Sequence, residues 1–309
     1  MIKIDAFAHI MTEKYLAKYR KINPAIEKRI EVMTPPVVDL EIRFRLMSRY
    51  PNVLQMLTVA NVPLETFAPN DSAELARIAN EEMAELVIKY PDKFFGAAAA
   101  LPMNDIDAAL KEAERAVTQL RLKGVQIYSR INGEPLDNPK FKPLYALMAK
   151  YDLPIWIHPA TNDKLDNDIG IFTWPFETTC AMYRLVQSGI FLEYPNLKFI
   201  VHHAGAMVPF FGERIKWVLS LVPQKFPNPH EHFKKFYVDT AVYGNTSALM
   251  CSYEYYGADH MLFGTDAPLG PRWGMVEDTI ASIERMAIPE EDKQKILKNN
   301  AVNLFKLAL

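Results

Sequence analysis

The chain has 309 residues, room for one large α/β barrel or two average domains, and half of them are apolar, which supplies a sizeable core and excludes a disordered chain. A formal charge of −2, with Lys and Arg spread along the sequence, leaves nucleic-acid binding no basic patch to act through. Two distant cysteines, Cys180 and Cys251, outside any CxxC pattern, exclude a disulfide framework and read as buried or incidental thiols.

In chain order, the first element is the strand pattern Ile2-Lys-Ile-Asp-Ala-Phe-Ala-His9. It follows no charged leader or apolar signal region, and no run approaches the ~18 apolar residues of a membrane span. The expectation is a cytosolic protein. Apolar, β-branched or aromatic runs of strand type recur at 53–60, 94–101, 124–128, 153–158, 198–203, 236–239 and 261–266, making eight. Between them lie segments with helical spacing. Residues 71–89 begin on Asp-Ser, keep Leu75, Ile78, Met83, Leu86 and Val87 on one side, and stop before Pro91. Residues 105–120, 143–151, 177–194, 208–221, 246–255 and 276–286 fill most other gaps.

Eight strands alternating with helices, with no linker rich in Gly, Ser or Pro, predict an α/β fold: a single (β/α)8 TIM barrel over residues 1–309. Three connections, 11–36, 159–175 and 222–235, are longer than a barrel needs. Long loops on a compact domain serve as lids or subunit contacts.

Four of the strand runs end on a polar residue that can bind metal: His9, His158, His203 and Asp266. Active sites of such barrels collect at the C-terminal ends of the strands, which gives those four a common reason to be there. Taken alone, His9 reads as a hydrogen-bonded core histidine. His158 closes a strongly apolar strand broken at once by Pro159, and alone it could equally be a rim histidine bonded to a carbonyl. In His202-His203-Ala-Gly205, adjacent strand residues point to opposite faces, so one histidine faces the site at most. His203, beside the Gly turn, is expected there, with His202 packed between strand and helix. A carboxylate buried at Asp266 is costly unless paired or bound to metal. Asp239 is a weaker candidate that could simply satisfy backbone donors. Together, two imidazoles and a carboxylate, His9, His158 and Asp266, form the usual set for a catalytic divalent metal, most often zinc, and leave His203 as general acid or base.

With these strand ends, the chain resembles the amidohydrolase-related decarboxylases, the family of aminocarboxymuconate-semialdehyde decarboxylase and the hydroxybenzoate decarboxylases. The resemblance runs over nearly the whole chain. It includes 39–47, 124–127, 136–139, His203-Ala-Gly-Ala-Met-Val-Pro-Phe-Phe-Gly-Glu-Arg214, 238–242 and Gly264-Thr-Asp-Ala-Pro-Leu-Gly270. It implies an amidohydrolase-type barrel with long βα loops. It implies metal ligation by His9, His158 and Asp266, and proton handling by His203 together with Asp266. It also implies carboxylate grips at Arg43 and Arg214, the latter often across a homodimer interface; without the resemblance both arginines read as helix-surface charges. One departure stands out: the family's first ligand position is Phe7 here, and phenylalanine cannot donate to a metal.

The expected activity is non-oxidative decarboxylation of an aromatic or unsaturated carboxylic acid, with Phe7 making the pocket apolar and Phe172 and Trp174 flanking the ring. The expected cofactor is a divalent metal, zinc first and Mn2+ or Mg2+ next. Partners are expected to be a small carboxylic acid and a second subunit, with no nucleic acid and no membrane. Two alternatives remain at this point: hydrolysis or hydration of a lactone, amide or unsaturated acid at the same metal, and a metal-free barrel that binds a small acid.

Overall fold

A computed structural model describes residues 1–26, 35–60, 63–160 and 170–308. Among the described residues ten strands occur in chain order: β1 Lys3–Ile10, β2 Val53–Val59, β3 Phe94–Ala97, β4 Ala99–Ala100, β5 Val125–Tyr128, β6 Arg130–Ile131, β7 Glu134–Pro135, β8 Ile155–His158, β9 Phe199–Val201 and β10 Tyr237–Val238. β3 and β4 are one expected strand interrupted at Ala98, and β6 pairs with β7 as a small antiparallel hairpin. The remaining pairs are parallel, in the orders β1-β2-β3 and β4-β5-β8-β9-β10.

The eighth stave, 261–267, closes the ring without forming a regular strand. Met261 bridges to Val238 on one side and Ala267 to Ala8 on the other. Leu262 N donates to Val238 O and Ala6 N to Phe263 O, both at 2.8 Å. The expected (β/α)8 barrel is therefore the observed one.

Side-chain alternation sets the two layers. Ile4, Met56, Ala98, Trp156, Ile200 and Leu262 fill the barrel interior, joined by Leu304 and Phe305 of the C-terminal helix Asn300–Phe305. Trp156 stacks on Phe305 at 5.5 Å, which plugs one end and leaves the C-terminal strand ends as the open face. The alternate residues Leu57, Ile127, Ile155, Ile157, Phe199 and Val201 pack outward in the larger core beneath the helices.

Helix positions follow the expected periodicity with local differences. The 71–89 helix starts earlier, at Pro69, because proline suits the first turn, where its missing N–H is not required. The 105–120 helix is Ile106–Thr118, capped by the Asp105 carboxylate, which accepts from Ala108 N at 3.1 Å. The 177–194 segment forms Thr173–Ser188 and Ile190–Glu193, parted at Gly189, whose φ of 81° ends the first helix. The 208–221 helix shrinks to Gly212–Ser220 because the chain is still turning at Phe211. Two helices stand where long connections or nothing were expected: Glu13–Ile22 inside 11–36, and Leu40–Met47, capped by Asp39. Residues 27–34 and 161–169 of the long connections lie outside the described residues.

Candidate active site

β1, β8 and β9 each aim one imidazole into the barrel mouth. His9, His158 and His202 bring one ring nitrogen apiece to within 4.8 Å of one another, and all three are buried. The partners at Nδ1 show which nitrogen each ring presents. His158 Nδ1–H donates to Pro159 O at 2.8 Å. Thr58 Oγ1, itself donating to Ala8 O, accepts from His9 Nδ1 at 2.8 Å. His202 Nδ1 is paired with Asp239 Oδ2. With Nδ1 protonated on each ring, the Nε2 lone pairs are the ones left to face inward. The Nε2 atoms of His9 and His202 are buried without an aligned hydrogen-bond partner.

Asp266 completes the cluster. Its Oδ1 lies 2.9 Å from His9 Nε2, without the alignment of a hydrogen bond. Burial alone would raise this carboxyl, but the contact with His9 and the positions of His202 and His203 hold it below the ordinary carboxylate range, so it is ionised. His158 is driven the other way. Burial first, then the neighbouring His202 and His9, push it well below the usual imidazole value and keep it neutral. Imidazoles with buried, unpartnered Nε2 atoms beside an ionised carboxylate fit a divalent cation, since an unpaired buried Nε2 is costly without one.

His203 is also at the site, and the expected choice between the two histidines is corrected. Regular pairing in β9 ends at Val201, and Ile200 faces the barrel interior, so the two-residue period brings His202 inward rather than between strand and helix. His203 then leaves the strand with a left-handed φ of 58° and is freed from the alternation. Its ring stacks on His202 at 5.1 Å, and its buried Nδ1 has no partner. Burial and His202 depress its pKa, so it too is neutral.

Beside His203 opens a cavity of about 630 Å³, walled by Ile171, Trp174, Pro209, Phe210, Val242 and Tyr243. Trp174 reaches it from the helix Thr173–Ser188, its ring 6.3 Å from His158. Phe172, expected to flank a bound ring as well, is an exposed side chain that does not line the cavity. Burial and the adjacent Asp266 push the Tyr243 hydroxyl upward and keep it protonated.

Three expected substrate contacts fall elsewhere. Arg43 is 1% exposed and faces inward beneath β1, donating to His9 O at 2.5 Å and to Gln55 Oε1 at 2.8 Å. Those bonds engage both terminal nitrogens and tie Arg43 to β1 and β2. Phe7 is fully buried, with its ring centroid 3.4 Å from that of His202, and it does not line the cavity. Arg214 is exposed on the helix Gly212–Ser220, outside the described cavity walls. The sequence reading missed the inward turn of His202, its pairing with Asp239, and the place of Tyr243 in the cavity wall. Counting in twos from Ile200 is the signal that would have found His202.

The chain belongs to the amidohydrolase family, whose model matches residues 4–307. It is 33% identical to a gamma-resorcylate decarboxylase of Polaromonas sp. strain JS666, over 99% of this chain and 98% of that protein. It is 31% identical to a 6-methylsalicylic acid decarboxylase of Penicillium expansum, over 76% of this chain and 75% of that protein. Among solved structures, it matches a dihydroxybenzoic acid decarboxylase from Polaromonas sp. JS666 holding manganese and the inhibitor 2-nitroresorcinol. That match has a TM-score of 0.83 and 27% identity, and covers 100% of this chain and 98% of the other.

Proposed function

We propose that this chain is a metal-dependent, non-oxidative decarboxylase of an aromatic carboxylic acid, a carbon–carbon lyase. The observation that carries the reading is the meeting of three buried imidazoles and ionised Asp266 beside an apolar cavity large enough for a substituted benzoate. His9, His158 and Asp266 hold the cation. Zinc suits this nitrogen-rich set best, with manganese, the ion bound by the dihydroxybenzoic acid decarboxylase above, as the second choice. The bound metal supplies Lewis-acid polarisation of a substrate oxygen.

The remaining steps belong to protein side chains. Trp174 and Val242 flank the aromatic ring and exclude water from it. The C–COO⁻ bond breaks, carbon dioxide departs, and the bonding pair stays on the ring carbon. His203, neutral at rest, takes a proton from a substrate hydroxyl or water and delivers it to that carbon, with Asp266 stabilising the transient imidazolium. Tyr243 O–H donates to Asp266 and keeps its carboxylate oriented.

The same reading pairs two subunits through the face bearing Phe210, Trp217 and Leu221, which are 78%, 59% and 62% exposed, with Arg214 among them. It places the enzyme in the cytoplasm, where two unpaired half-buried thiols remain reduced. Among the described residues no helix is long and apolar enough to cross a membrane. The test is incubation with hydroxybenzoates in the presence of Zn2+ or Mn2+, reading carbon dioxide release and the decarboxylated phenol. Turnover of lactones by ring opening, with no carbon dioxide from any aromatic acid, would replace this function with hydrolysis.

A further inference from the structure

We propose that His202 is itself a ligand of the cation, replacing the donor that Phe7 lacks, and that Asp239 orients it for that role. The inference rests on the metal-dependent reading of the site and adds a ligand to it. Three independent features of the chain support it. His202 shares the 4.8 Å cluster with His9 and His158, its ring centroids lying 5.9 and 5.2 Å from theirs. Its Nδ1 is committed to Asp239, so the tautomer is set and Nε2 carries the lone pair. That Nε2 is buried and has no hydrogen-bond partner, the condition of a nitrogen aimed at a cation.

Asp239 is built to hold one position. Its second oxygen accepts from Ala204 N at 3.2 Å and Ala241 N at 3.0 Å, tying the end of β9 to the segment after β10. An outer carboxylate that fixes a ligating histidine is a recurrent arrangement and raises the basicity of the ring. Phe7 completes the logic by shape. On β1 it lies two residues before His9, and its ring packs against His202 at 3.4 Å, tilted by 38°. A side chain that cannot coordinate thus becomes the wall that backs the one that does. His203, with its left-handed backbone, remains outside the ligand set and available for the proton.

The test is Zn2+ titration by competition with a chromophoric chelator, together with the visible spectrum of the Co2+-loaded protein. Wild type, His202→Ala, His203→Ala and Asp239→Asn are compared, with folding checked by circular dichroism. His202→Ala should lose at least about 100-fold in Zn2+ affinity, beyond the range of an outer partner, and should alter the Co2+ spectrum. Asp239→Asn should lose about 10–100-fold and serves as the test if His202→Ala does not fold. His203→Ala should bind at wild-type affinity. Unchanged affinity in His202→Ala, or in Asp239→Asn where that variant is decisive, overturns the assignment, as does an equal loss in His203→Ala. Wild type that binds no Zn2+, Mn2+ or Co2+ would overturn the metal reading as well, so the two failures are told apart.

Discussion

Two buried polar layers lie on either side of β1, and they are built in opposite ways. At the open face, His9, His158 and His202 each bond at Nδ1 and leave the other nitrogen toward a common point. Buried deep between the strands and the helix Leu40–Met47, Arg43, Gln55, Asp5 and Thr265 form a chain of hydrogen bonds. Arg43 donates to Gln55, Gln55 Nε2 donates to Asp5 at 3.2 Å, and Asp5 accepts from Thr265 N at 3.0 Å and Oγ1 at 2.6 Å. The deep layer uses its polar capacity on itself and stitches β1, β2 and the eighth stave together. The upper layer withholds lone pairs. Burial is similar in both, so the direction of the unused lone pairs, rather than depth, separates a binding site from a structural network.

This contrast predicts a double dissociation. The largest effect belongs to the upper layer: His203→Asn should cut decarboxylation by about 10²–10⁴-fold while metal content and thermal stability stay near wild type. A loss of stability matching the loss of rate would erase the distinction. In the deep layer, Arg43→Met should cost about 3–5 kcal/mol in urea unfolding, because it strands the buried Asp5 and Gln55 partners. Any protein that remains folded should keep its KM for substrate. A raised KM with unchanged stability would return Arg43 to the substrate.

A third, smaller effect comes from pH. Burial raises the Asp5 carboxyl to about 7, from 3.8 when unfolded, despite its hydrogen bonds. The folded state therefore holds this proton more tightly than the unfolded chain does. The stabilisation it contributes is full below pH 4, declines as pH rises, and is gone above about 7. Urea midpoints measured from pH 4 to 7 should fall with this slope in the wild type and flatten in Asp5→Asn. The smallest effect is the control: the exposed Arg77–Glu81 pair, at 2.9 Å, should cost only ~0.3–0.5 kcal/mol on Arg77→Ala.

Much of the site was legible because strand ends announce themselves. The period-two runs reaching His9 and His158, and the late Gly-Thr-Asp266, stop where the barrel opens, and the structure brings those three together. Trp174 was also found, at the start of its helix. Arg43, expected from the resemblance as a carboxylate grip, lies under β1, and nothing local in Leu40–Met47 shows that this helix turns it there. His202 was placed between strand and helix because its strand was taken to run through His203. Backbone dihedrals end it earlier, and a left-handed residue obeys no alternation. The helix Glu13–Ile22 was missed inside 11–36, read as a connection; it has only Tyr15, Leu16 and Tyr19 buried against neighbours.

By itself the sequence determined the eight-stave barrel and the strand ends on which metal-binding side chains stand, because periodicity and turn residues act over a few neighbours. Only the tertiary structure decided which lone pairs converge, that His202 joins them, and that Arg43 serves the frame. Those outcomes depend on contacts between residues far apart in the chain, such as His202 with Asp239 or Asp5 with Thr265, where the ring closes.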